Sequence, residues 1–130
     1  MSIVVAYTPD PAGHAALELG IAEAQLRGEE LIVVNATKGD ALVDNRFAAK
    51  GEVRSVDEVL VEAGVQHTIK QPMGADVADM VLDEVDASAA SLLVVGLRRR
   101  TPVGKLIMGS VSQRLLLDSP VPVFAIHGEK

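Results

Sequence analysis

The 130 residues include no cysteine and no tryptophan, and only three aromatic side chains, Tyr7, Phe47 and Phe124. Without thiols the chain cannot staple itself with disulfides, build a thiolate metal site or run thiol chemistry. Three scattered aromatics do not make a stacking platform for single-stranded bases, so no nucleic acid partner is expected. The opening MSIVVAYTPD has no basic stretch, and its apolar run stops at a Thr-Pro-Asp turn, far short of a signal peptide or membrane span. A cytoplasmic protein with no membrane contact is the expectation. The histidines, His14, His67 and His127, are dispersed, and no Gly-x-Ser-x-Gly elbow is present. No catalytic residue and no metal ligand is therefore assigned.

What is present is apolar material, 48% of the residues, enough for one packed domain over 1–130. Short β-branched runs at Ile3 to Tyr7, Leu31 to Val34, Leu92 to Val95 and Val121 to Ile126 read as buried parallel strands, with Gln66 to Lys70 a weaker fifth. Helical spacing lies between them. Ala15, Leu19, Ala22 and Leu26 would form the inner face of the first helix, and Val56, Val59, Leu60 and Ala63 that of the second, closed by Gly64. A third covers Ala75 to Ala87, with Val77, Met80, Val81 and Val85 inside. The fourth runs from about Val111 to Leu117, with Ser110 and Gln113 spaced as a capping box and Pro120 ending it. This alternation predicts an α/β fold, a doubly wound parallel sheet of five strands with helices on both faces. Pro122 places the last strand at a sheet edge, and Val121, Val123, Phe124 and Ile126 make that edge apolar. A second subunit is one way to cover it.

Charge is unevenly distributed. The stretch from Ala87 to Leu117 has no acidic residue but contains Arg98, Arg99, Arg100, Lys105 and Arg114, so the net −6 divides into +5 here and −11 elsewhere. A cationic, glycine-bounded loop that leaves a strand at Gly96 and enters a helix at Ser110 suits a phosphate, because free N–H groups and the helix dipole both favour an anion. The loop ends in Gly104-Lys105, as a P-loop does, but seven residues separate Gly96 from Gly104 and Leu106 stands where a magnesium-binding hydroxyl belongs. No GxGxxG follows the first strand, whose turn is Thr8-Pro9-Asp10-Pro11-Ala12-Gly13. Walker A and dinucleotide readings both fail.

Gly96, then Gly109-Ser110 at the end of the loop and Val111-Ser112 after it, resemble the nucleotide loop of the universal stress protein family: glycine, two residues, glycine, nine residues, glycine and a small hydroxyl residue. The likeness extends to the opening strand and its turn, to Val33-Val34-Asn35-Ala36, and to the run SLLVVGLRRRTPVGKLIMGSVSQRLLLDSPVPVFAI. It implies a Rossmann-like sheet of order 3-2-1-4-5 binding ATP or AMP, with or without magnesium, at the switch point between strands one and four. Adenosine would lie near Ala6, Tyr7, Thr8 and Ala36, and phosphates near Gly96, Arg99, Gly109, Ser110, Val111 and Ser112. Arg98, Arg100 and Lys105 are further phosphate candidates on charge alone. The resemblance also implies a regulatory stress-response role, at most slow ATP hydrolysis, and a homodimer through the last strand. The sequence departs from the family pattern at two positions: Arg99 replaces the second glycine, and Thr8 replaces the usual acidic residue, with Asp10 two positions on. An alternative follows from them, a dimeric interaction module of the same fold that has lost nucleotide binding and holds a protein partner or simple anion with its basic loop.

Overall fold

The structure is a computed structural model in which residues 1–38, 46–97 and 109–128 are described. In chain order its elements are β1 (Ser2–Ala6), α1 (Pro11–Arg27), β2 (Glu30–Val34), α2 (Lys50–Glu62), β3 (His67–Lys70), α3 (Val77–Ala87), β4 (Ala90–Leu97), α4 (Ser110–Asp118) and β5 (Val123–His127). All strand pairs are parallel and the sheet order is β3-β2-β1-β4-β5. The expected doubly wound α/β fold is what the chain forms.

Alternation along each strand divides the core in two. Ile3 and Val5 of β1 join Leu31, Val33, Leu92 and Val94 beneath α1 and α2. Val4 joins Ile32, Val34, Leu93 and Val95 beneath α3 and α4. Central strands sealed on both faces need apolar residues at every position, which is why they read as continuous apolar runs. No helix among the described residues is long and apolar enough to cross a membrane.

Several local expectations are corrected. α1 buries Ala12, Ala16, Gly20 and Ala24 with Gly13 and Leu17, whereas Ala22 is exposed and Leu26 is 80% exposed. Small residues let the helix approach the sheet closely; a Cβ at Gly20 would come within 2.4 Å of Val5 Cγ2. In α2, Val56 and Leu60 are buried but Val59 is half-exposed, and Gly64 follows the helix at φ 71°, as predicted from the C′ position. β5 begins at Val123, two residues later than expected, because Pro122 offers no N–H to the ladder; its carbonyl instead accepts from Leu93 N at 3.0 Å.

Candidate functional site

Because the crossovers from β1 and β4 run in opposite directions, a cleft opens beyond their carboxyl ends. Its volume is about 670 Å³ counting the open mouth. Ala6, Tyr7 and Thr8 line it from β1 and the following turn, and Ala36 from beyond β2. Gly96 lines it from β4, and Gly109, Val111 and Ser112 from the start of α4. Ser110 is exposed and does not line it; Arg98, Arg99, Arg100 and Lys105 lie outside the described residues.

The floor is a packed turn. Thr8 Oγ1 donates to Asp10 Oδ1 at 2.8 Å, and the same oxygen accepts from Gly13 N at 2.8 Å, so Asp10 caps α1. The Thr8 hydroxyl is thus a donor to the turn's own carboxylate. A Cβ at Gly13 would sit 1.7 Å from Thr8 O, one at Gly96 2.0 Å from Ala12 O, and one at Gly128 2.2 Å from Ala12 Cα. These glycines admit the α1 N-terminus between the ends of β4 and β5. Gly96 needs no left-handed backbone, since only Gly28 and Gly64 among the described glycines have positive φ.

Tyr7 is used on both sides of the sheet end. Its ring packs in the α1/α2 core, 5.7 Å from the His14 ring, and its hydroxyl donates to Glu52. His14 Nε2 meets the same carboxylate at 2.9 Å. Burial, followed by the Glu52 contact, raises the phenol above its ordinary range. The Tyr7 bond, then the His14 bond, hold Glu52 below the usual carboxylate range despite some desolvation. The Tyr7 backbone remains at the cleft, with N–H to Val34 O at 2.9 Å and its carbonyl accepting from Asn35 Nδ2 at 3.0 Å.

The fourth helix departs from its expected cap. The N-cap is Gly109 (φ −70°, ψ 166°), so Ser110 is already the first helical residue and the Ser110–Gln113 capping box does not form. The Gln113 N–H bonds the Gly109 carbonyl at 3.0 Å. A glycine cap supplies no side-chain oxygen to the first-turn N–H groups, the arrangement that suits an external anion. Arg114, counted among the basic residues of this stretch, is committed elsewhere: it reaches Asp76 at 3.0 Å, Asp118 at 3.1 Å, and Asp79. The Asp79 backbone N–H, and then Arg114, hold Asp76 below its ordinary value.

Sequence reasoning missed part of the lining. Val77 and Val81 of α3 and Leu115 of α4 form the apolar wall, together with Val34, Val95 and Leu97 from the strands. In sequence these read as core, because they are core at one end and cleft wall at the other. Ala12 of α1 and Arg46, just before α2, are the other omissions, and nothing in the neighbours of Arg46 marks it.

The chain matches the model of the universal stress protein family over residues 1–127. It is 53% identical over 128 residues to a universal stress protein of Mycolicibacterium smegmatis, spanning 97% of this chain and 98% of that one. Among solved structures, a universal stress protein from Archaeoglobus fulgidus superposes with a TM-score of 0.79 at 26% identity, covering 95% of this chain and 96% of that chain. A universal stress protein from the same organism in complex with dAMP gives 0.70 at 21% identity, over 95% and 94% of the two chains. By that match over nearly its whole length, the protein belongs to the universal stress protein family.

Proposed function

We propose that the chain is a single-domain regulatory module that binds an adenine nucleotide, ATP or AMP, with or without magnesium, in the cleft between β1 and β4. The observation that carries this reading is the cleft's polarity: an apolar slot of Ala36, Val77, Val81 and Leu115 leads to a helix opened by glycine at Gly109. A flat base fills the slot, while the α4 N–H groups face its phosphate. Ala6, Tyr7, Thr8 and Ala36 take the adenosine; Gly96, Gly109, Val111 and Ser112 take the phosphates, joined by Ser110, Arg98 and Arg99. The dAMP complex of a family member with the same fold supports the ligand class.

The proposed module works in the cytoplasm as a homodimer through β5. Val123, Phe124 and Ile126 of that edge strand, with Val121 before it, are only partly buried, and Ala125 is exposed. Two tests separate the readings. Mass spectrometry of small molecules released by heating the purified protein is expected to find ATP or AMP, and calorimetry to give heat with millimolar ATP. No carried nucleotide and no heat would overturn nucleotide binding in favour of the interaction module.

A further inference from the structure

Arg46 is the one charged residue lining the cleft among the described residues. Its carbonyl accepts from Asn35 Nδ2 at 2.6 Å, and that nitrogen also donates to Tyr7 O at 3.0 Å. Asn35 Oδ1 accepts from Ala48 N at 2.8 Å and from Gln71 Nε2 at 3.1 Å. Gln71 Nε2 donates further to Ala48 O at 2.9 Å. A primary amide has two donors and two acceptor sites, and Asn35, 1% exposed, uses all four. A fully satisfied buried network specifies one arrangement. Here it bolts the backbone on either side of Phe47 to the carboxyl ends of β1, β2 and β3.

We propose that Arg46 is a specificity-determining residue of the cleft that meets the nucleoside half of the bound nucleotide, with Asn35 as its positioning residue. The proposal rests on the nucleotide reading above. Arg46 is anchored over β1 and β2, whereas Gly109 opens α4 beyond β4 on the other side of β1. Strand spacing of about 4.8 Å puts roughly 10 Å between the β2 anchor and β4. The slot itself is lined by valine, alanine and leucine, which grip a base without orienting it. A guanidinium stacks on an aromatic face and donates to ring nitrogens or hydroxyls in a fixed plane, which an ammonium does not. Arg46 therefore supplies the directional contact that the apolar wall lacks.

The test is calorimetric titration with AMP and with adenosine of the wild type, Arg46→Ala and Arg46→Lys, with circular dichroism to verify the fold. Arg46→Ala is expected to weaken both ligands by the same factor, about tenfold, and Arg46→Lys to restore little of it. Asn35→Ala is expected to weaken AMP in the wild-type background but not further in Arg46→Ala, a coupling that a general loss of stability would not produce. Should Asn35→Ala not fold, Gln71→Ala, which removes two bonds of the same network, is read in its place. The proposal is overturned if Arg46→Ala changes neither ligand, if it weakens AMP alone, or if the wild type binds AMP but not adenosine. A wild type that binds neither ligand, nor ATP, overturns the nucleotide reading and this proposal with it, a result distinct from the other three.

Discussion

Gly96 faces the carbonyl of Ala12 so closely that a Cβ at position 96 would stand 2.0 Å from that oxygen. This contact seats the N-terminus of α1 against the end of β4 and makes the floor of the cleft. Gly96→Ala must push backbone against backbone, with no flexible side chain to give way, and is expected to cost at least about 1–3 kcal/mol. Gly51→Ala is the control: in the first turn of α2, nothing lies within 4 Å of its Cβ position. It should be neutral or stabilising by roughly 0.5 kcal/mol. Urea midpoints of the two variants check the contrast, and equal midpoints would contradict it.

The inner face of α1 gives a second contrast. Ala16 is fully buried against the sheet while Leu26 is 80% exposed. Ala16→Leu overpacks a helix that relies on small residues and should cost about 1–3 kcal/mol. Leu26→Gln should change stability by less than about 0.5 kcal/mol. Thermal denaturation of both variants decides which stripe of the helix faces the core.

These two cases mark what was legible in the sequence. Central strands were, because Val4, Val5, Val33 and Val94 are buried on a sheet covered on both faces, and such strands admit little but apolar residues. The α1 face was not. The helix offers two competing stripes, and the one with larger side chains is the natural choice until the approach of Gly20 to Val5 is known. The candidate site divided the same way. The end of β4 and the start of α4 were legible as glycine and hydroxyl residues at family spacing, and the end of β1 as the opening strand and its turn. Arg46 and the α3 valines were not, since they reach the cleft only through the strand order and the Asn35 network.

Two side-chain ties should tilt stability with pH in opposite directions. Glu52 is held below its ordinary value by the Tyr7 and His14 bonds, so its contribution is complete above the unfolded value of about 4.3 and is lost as pH falls through the folded one. Burial alone would lower His67. That is outweighed by its bond to the Val65 carbonyl at 2.8 Å and to Asp57 at 2.6 Å, and the net shift is upward. Its contribution is complete below about 6.5 and is lost as pH rises through the folded value. Glu52→Gln should therefore flatten the acid limb of a pH series of urea midpoints, and Asp57→Asn the limb above about pH 6.5. Unchanged limbs would show that neither carboxylate contributes.

Position 109 separates stability from binding. Gly109 caps α4 at φ −70° and ψ 166°, extended geometry open to any residue, and it has no oxygen to offer the first turn. Aspartate and asparagine are comparable N-caps, each better than glycine by a few tenths of a kcal/mol, so both Gly109→Asp and Gly109→Asn should hold or slightly raise the denaturation midpoint. Their effects on a nucleotide should diverge. Each side chain competes for the same N–H groups as a phosphate, but only aspartate adds a negative charge where the phosphate would sit, and like charges at close range repel. AMP affinity is expected to fall by about tenfold or more beyond the asparagine variant, with the gap narrowing as salt is raised. Equal affinities in the two variants would mean that the phosphate does not meet the α4 N-terminus, even if the protein binds AMP.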